Sequence, residues 1–354
     1  YYRRMKRFSS SSGTGTAEKH QRSKKVTPIL RPGLLLTDLS DTNLKLAAQC
    51  GATDIVGPCP GFSPDALESL VQRIESFGLR LSVIERFIPH DKIVHDLPGR
   101  DEQVENIKTL IRTMGKLNIK CLCYNWMPSD DWTRTAVNVP VRGGALATAF
   151  DLDYAPVEVS GHKTTKSITS RVKLWDTLNR FLQEIIPVCE EANVNLALHP
   201  DDPPLETLHG QPQICYSVEQ LKRVTQLVPS KCNGVCFCQG TFASAGEDIA
   251  TGIRLLGTSI KFIHFRNVIC ENPGTKFQET WQDLGDIDNV LAIRTYMEVL
   301  SQESTVIRPD HVPTLETEDN SNPGYHVLGR IWALGYMKGL IESTEKSSTF
   351  STKI

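Results

Sequence analysis

The sequence predicts an α/β protein built as a closed (β/α)₈ TIM barrel, and three observations carry that expectation. From Val26 onward, short β-rich runs alternate strictly with longer amphipathic stretches, eight times over. The length, 354 residues, holds one barrel of the usual size of about 250 residues together with appendages. An open doubly wound sheet is the alternative, but no G-x-G-x-x-G follows the first run and no G-x-x-x-x-G-K-[ST] occurs, so no nucleotide-binding version has support.

The units are read in order. A first strand near 29–36 precedes a helix over 41–50, and a second strand at 53–57 precedes a helix from Ser63, whose hydroxyl can cap it, to Phe77. The third strand, 80–85, leads to a helix over 101–117. The fourth, 119–125, is followed by an irregular insertion over 128–170 and then a helix over 172–192. That insertion is too long for an ordinary connection and has the length of a lid or binding loop. Strands at 195–199, 234–238 and 261–266 each have a helical segment behind them, and the eighth strand, 305–310, precedes a last helix over 325–341. The barrel domain is thus expected over 27–345, with a C-terminal tail at 346–354.

Charge is unevenly distributed: the chain is −2 overall, yet residues 1–26 carry +7, which leaves −9 on the remainder. An acidic body is unsuited to neutralising phosphates, so nucleic acid is not an expected partner. No run of 18 apolar residues occurs, so no membrane span is expected. The basic, Ser-rich, acid-poor segment 1–26 reads as a disordered tail or a transit peptide. Ten cysteines in a chain this long do not form a dense disulfide framework, and reduced thiols fit a cytoplasmic protein, or a mitochondrial or plastid one if the tail is a transit peptide. The pairs Cys121/Cys123 and Cys236/Cys238 are spaced C-x-C on strands, which turns both thiols of a pair to one face and is unlike a zinc ribbon.

In such a barrel, function sits at the C-terminal strand ends. Strand three ends in Glu85, four in Asn125, five in His199 with Asp201 and Asp202 behind, six in Cys238, seven in His264 and Arg266, and eight in Arg308, Asp310 and His311. Two imidazoles, a thiolate and a carboxylate, His199, Cys238, His264 and Asp310, form a candidate site for one divalent metal, and their softness alone admits Zn²⁺, Fe²⁺ or Mn²⁺. Taken singly, each has a plain structural reading, since a strand His is commonly a hydrogen-bonded core residue and Cys a buried one. Trp126, Trp132 and Arg134, in CYNWMP (123–128) and DDWTRT (130–135), are expected beside the mouth. There Arg134 can clamp a substrate carboxylate, or the aromatics merely pack the insertion. His90 is either a site residue or a loop histidine.

These motifs, LALHPDDPP (196–204), GVCFCQGTF (234–242), FIHFRNV (262–268), IRPDH (307–311) and CYNWMP with DWTRT, together resemble the mannonate dehydratase family over most of residues 40–340. The resemblance implies a xylose-isomerase-like barrel that converts D-mannonate to 2-keto-3-deoxy-D-gluconate and water with Mn²⁺ or Fe²⁺, in glucuronate catabolism. It places the metal on His199, Cys238, His264 and Asp310, and active-site roles on Arg308, His311 and Tyr325 of NPGY (322–325). It also points to a sugar-acid substrate, for which the strand-end residues Glu85 and Asn125 and the mouth residues Trp132 and Arg134 are the candidate binding residues by their placement. In FQETWQDLGDID (277–288), Gln278 and Gln282 stand where the family tends to place histidines.

Elimination of water from an aldonate requires charge stabilisation as the C2 proton leaves, which a metal with Arg308 can supply, and two proton transfers, which His311 and Tyr325 can share. Which is base and which acid is open. A sugar isomerase or epimerase on the same barrel, or a non-catalytic sugar-acid-binding barrel, are the rival readings. Homo-oligomerisation also stays open.

Overall fold

The structure, a computed structural model, describes residues 29–86, 88–128, 132–154, 169–300 and 304–351. The expected tail at 1–26 lies outside the described residues. In chain order the elements are β1 (Leu30–Leu35), α1 (Asp41–Gln49), β2 (Asp54–Gly57), α2 (Pro64–Glu75), β3 (Arg80–Glu85), α3 (Asp91–His95), α4 (Arg100–Lys116) and β4 (Cys121–Tyr124). Then come β5 (Ala136–Pro140), β6 (Leu146–Asp151), α5 (Arg171–Ala192), β7 (Asn195–Leu198), β8 (Thr207–Leu208), β9 (Gln211–Pro212), α6 (Val218–Leu227) and β10 (Asn233–Cys238). The chain ends with α7 (Gln239–Ser244), α8 (Ile249–Leu256), β11 (Ile260–Phe265), β12 (Val268–Asn272), β13 (Lys276–Glu279), α9 (Asn289–Val299), β14 (Thr305–Pro309) and α10 (Val327–Ser351).

Eight of these strands close a parallel barrel in the order β1-β14-β11-β10-β7-β4-β3-β2. Their runs are apolar almost throughout because both faces are covered, one by the barrel interior and one by helices. Leu35, Val56, Val83, Cys121, Cys123, Ala197, Cys236, Phe262 and Val306 fill the interior, and the outward residues join the larger core under the helices. Side chains of Ser40, Ser170, Ser217, Asp248 and Asp288 accept the backbone N–H three residues on, which starts α1, α5, α6, α8 and α9. Ser63 makes no such bond; Pro64 in the first turn presets the dihedral that α2 needs instead.

Two regions depart from the sequence reading. The insertion 128–170 is not simply irregular: β5 and β6 form a hairpin that joins β12 and β13 in an antiparallel sheet of order β12-β13-β6-β5. Phe150 packs on Phe277 across it with ring centroids 5.8 Å apart. The pairing partners lie more than a hundred residues downstream, so local pattern gave no sign of it; residues 155–168 lie outside the described residues. At the C-terminus, α10 runs through the expected tail to Ser351, since no Gly or Pro stops it after Ile341 and Glu342 pairs with Lys346 one turn on. Among the described residues no helix is long and apolar enough to cross a membrane.

Helices α4 and α5 touch closely at Gly115, where an added Cβ would lie 2.5 Å from the Ala192 carbonyl oxygen. Helix propensity alone makes Gly115→Ala stabilising by about 1 kcal/mol. The clash reverses the sign, and a net destabilisation of about 1–3 kcal/mol is expected in urea unfolding.

Candidate active site

Inward-facing residues recur every second position along a strand, so the barrel interior is built in layers. Cys236, Phe262 and Val306 are register partners in one layer, and two residues further on Cys238, His264 and Arg308 are partners in the next. Glu85 faces Cys123 at the same level on the other side. His199 and Asp310 follow directly on β7 and β14. A cavity of about 440 Å³ opens above them, lined by Glu85, Asn125, Trp132, His199, His264, Arg308, Asp310, His311 and Tyr325 among others.

The four predicted metal donors converge. One donor atom each from His199, Cys238 and His264 lies within 4.8 Å of the others. His199 Nε2 is 3.2 Å from His264 Nδ1, Cys238 Sγ is 3.6 Å from Asp310 Oδ2, and Asp310 Oδ1 is 3.8 Å from His264 Nδ1. The Nδ1 of His199 lies 2.6 Å from the Pro200 carbonyl oxygen, to which it donates, so Nε2 presents its lone pair to the centre. Burial opposes charge on Cys238, and Asp310 adds to that, yet hydrogen bonds from His199 and His264 pull its pKa down to about 5. Burial likewise opposes charge on His199, and the Cys238 contact outweighs it, raising the pKa to about 9. A thiolate is thus available near neutral pH, beside two ring nitrogens that lie 3.2 Å apart. The residues present fit a divalent metal.

Arg308 holds this group from one side. Its Nε and Nη2 donate to the two Glu85 oxygens at 3.0 and 2.7 Å, and its Nη1 to Asp310 Oδ1 at 2.9 Å and the Pro309 carbonyl at 3.0 Å. Nη2 also reaches His264 Nδ1 at 3.4 Å, which accounts for all five N–H groups. Burial opposes the charge on Glu85, but Arg308 and then His264 hold its pKa well below the usual range. Arg308 and Glu85 therefore line the cavity as a preformed pair that fixes Asp310 rather than as unengaged substrate clamps.

His311 is set by a second network. Its Nδ1 donates to Glu279 Oε1 at 2.6 Å, leaving Nε2 to accept the Tyr325 hydroxyl at 2.7 Å. Glu279 Oε1 also accepts Arg134 Nη2 at 2.6 Å and pairs with Arg266 Nη2 at 2.7 Å. Asp202 takes Arg134 in two bonds of 2.8 and 3.0 Å and Arg266 Nη1 at 2.7 Å. With Nε on Glu279 and Nη1 also on the Thr133 carbonyl, all five donors of the buried Arg134 are engaged. The expectation that Arg134 clamps a substrate carboxylate is corrected: its side chain is a strut in the wall. Trp126 is corrected too, because it packs in the helix layer on Phe181, with its indole N–H on the Leu174 carbonyl. Trp132 does reach the cavity, edge-on to His311 with centroids 5.6 Å apart. His90 lines the same cavity and its Nδ1 lies 2.7 Å from the Ile88 carbonyl oxygen.

Three residues were not singled out from sequence. Glu279 sits in the segment noted only for its glutamines; of these, Gln282 donates to the His311 carbonyl at 2.9 Å and Gln278 belongs to the antiparallel sheet. Arg86, immediately after Glu85, lines the cavity with its guanidinium 4.4 Å from the Tyr325 ring centroid. Its φ of 74° is the left-handed conformation that a non-glycine residue adopts only when the surroundings enforce it. Arg330, fully buried, lies 4.7 Å from the same ring, and burial pulls its pKa down to about 9. Adjacency to a barrel-strand end was the available signal for Arg86; the other two lie at no barrel-strand end.

Burial pushes Glu279 up, but Arg266, His311 and Arg134 together lower its pKa from 4.5 to about 2. A folded pKa below the unfolded one adds stability above pH 4.5 that is lost as pH falls through about 2. Glu279→Gln is expected to cost about 3–5 kcal/mol at neutral pH and to flatten the acid limb, read from urea midpoints across pH.

Comparison with known proteins agrees with this geometry. The family model for D-mannonate dehydratase (UxuA) matches residues 58–172 and 160–351. A mannonate dehydratase of Streptococcus pneumoniae is 32% identical over 305 residues, 79% of this chain and 82% of the relative. One from Enterococcus faecalis is 31% identical over 332 residues, covering 83% and 92%. The crystal structure of mannonate dehydratase from Streptococcus suis superposes with a TM-score of 0.82 at 29% identity, over 90% of this chain and 96% of that one. A xylose isomerase domain protein from Planctomyces limnophilus, 12% identical with a TM-score of 0.58 over 90% and 99% of the two chains, shares the barrel alone. With a closed parallel barrel, converging strand-end donors and these matches, the chain belongs to the D-mannonate dehydratase family.

Proposed function

We propose that this chain is a hydro-lyase that eliminates water from D-mannonate to give 2-keto-3-deoxy-D-gluconate, with Mn²⁺ or Fe²⁺ held by His199, Cys238, His264 and Asp310. The observation that carries the reading is the Glu279–His311–Tyr325 chain at 2.6 and 2.7 Å, aimed into the cavity beside the donor set. A bound divalent ion supplies Lewis-acid stabilisation of the charge that builds on the substrate carboxylate as the C2 proton leaves.

The protein's own groups do the rest. Glu279 holds the proton on His311 Nδ1, which leaves Nε2, paired with the Tyr325 hydroxyl at the cavity, as the proton-accepting atom. Burial pushes the Tyr325 hydroxyl well above its ordinary pKa, so it keeps its proton. In this reading His311 takes the C2 proton and Tyr325 delivers one to the departing C3 hydroxyl. The C2–H and C3–O bonds break, water leaves, and the resulting enol tautomerises to the 2-keto acid. Arg86, whose guanidinium lines the cavity, supplies the cation facing the substrate in place of Arg134. Asn125 and Trp132 complete the wall, and the ligand is a small sugar acid.

The test is turnover of metal-loaded protein on C5 and C6 aldonates, followed by mass spectrometry of the product. His311→Ala and Tyr325→Phe should each lower kcat by roughly 10²- to 10⁴-fold while metal content stays unchanged. Arg86→Ala should raise KM more than it lowers kcat, and chelation should abolish turnover. If no aldonate yields a 2-keto-3-deoxy acid, the dehydratase reading fails and a non-catalytic sugar-acid-binding barrel replaces it.

A further inference from the structure

A second convergent donor group lies beside the first, toward the barrel interior. Cys123 on β4 and Cys236 on β10 are free thiols, 2% and 0% exposed, and both point into the barrel. Their sulfurs and a ring nitrogen of His264 lie within 4.8 Å of one another. The strand-end group uses His199, Cys238 and His264, so the two groups share one imidazole and no sulfur.

A buried cysteine is ordinarily a small apolar residue, and two of them would pass as filling. Two further observations argue otherwise. The Nε2 of His264 is buried with no hydrogen-bond partner; Glu85 Oε1 stands 3.3 Å away as an ion-pair contact only. A buried ring nitrogen without a well-aligned hydrogen bond, beside two thiols, is a donor open to a ligand. Secondly, Cys123 and His264 both line the mouth cavity, so an ion entering from solvent reaches them without opening the barrel.

The chemistry of this group differs from that of its neighbour. Two sulfurs and one imidazole, walled by Ala197, Phe262 and Val306, form a soft, low-coordinate donor set. Such a set selects a thiophilic ion over Mn²⁺ or Mg²⁺, which want oxygen donors and water. We propose that Cys123, Cys236 and His264 form a second cation site, for a thiophilic ion such as Cu⁺, Cd²⁺ or Zn²⁺, that shares the His264 ring with the strand-end donors. The inference stands apart from the dehydratase reading, because it requires only the two thiols and the shared ring.

Cd²⁺ is the probe, because thiolate-to-cadmium absorption in the ultraviolet scales with the number of bound sulfurs. One equivalent of Cd²⁺ added to the wild-type chain should give the intensity of two thiolates. Cys238→Ser should keep that intensity, whereas Cys236→Ser should lose about half of it, leaving one of the two sulfurs. Cys236→Ser should also raise the Cd²⁺ Kd at least about tenfold, the smallest loss typical even of groups that only support a ligand. Cys236→Ala gives the same reading should the serine hydroxyl destabilise the dry interior, and circular dichroism checks folding of each variant. Single-thiolate intensity in the wild type, or absorption that vanishes with Cys238→Ser and is untouched by either Cys236 variant, overturns the proposal.

Discussion

One carboxylate oxygen, Glu279 Oε1, is the point on which the active site depends. It receives His311 at 2.6 Å, Arg134 at 2.6 Å and Arg266 at 2.7 Å, all inside a wall from which water is excluded. Three side chains crowd this one buried oxygen, and Asp202 balances the two guanidiniums from the other side. The residues come from four places: Arg134 from the insertion, Asp202 from the loop after β7, Arg266 from the end of β11 and Glu279 from β13. The network thereby ties the antiparallel sheet to the barrel. It also selects the His311 tautomer, so local chemistry and the attachment of the sheet rest on the same contacts.

A parallel arrangement operates on the other side of the cavity, where Arg308 bridges Glu85 and Asp310. Arg134 in the first network and Arg308 in the second spend every donor on the protein. These guanidiniums act as fixed struts whose planar forks set the angle of a carboxylate, a role that lysine could not fill. Rigid carboxylates and ring nitrogens are what a metal site requires, because donors already at the right spacing lose little entropy on binding. Arg86 also lines the cavity, in a left-handed backbone turn with its guanidinium over the Tyr325 ring.

The barrel was legible because each strand is an apolar run with a polar residue at its C-terminal end, and that pattern is local. The meeting of His199, Cys238, His264 and Asp310 at one end of the barrel was legible for the same reason: each terminates a run. Arg134 was misplaced since a sequence shows that an Arg sits near the mouth but not that two carboxylates, from 202 and 279, already saturate it. Glu279 was invisible for the complementary reason, ending a short strand outside the barrel, its carboxylate meeting Arg134 and Arg266 only in the folded chain. Long-range pairing and ion-pair saturation are properties of the folded chain. The C-x-C spacings did report that thiols share a face, though not that Cys123 and Cys236, on different strands, meet at His264.

The central claim is that four strand-end side chains gather around one divalent ion, with Cys238 as its sulfur donor. X-ray absorption at the metal edge of Fe²⁺-loaded protein measures this directly. The account predicts a first shell containing one sulfur at about 2.3 Å together with nitrogen and oxygen donors at about 2.0–2.2 Å. A shell of oxygen and nitrogen alone, with no sulfur scatterer, would contradict it.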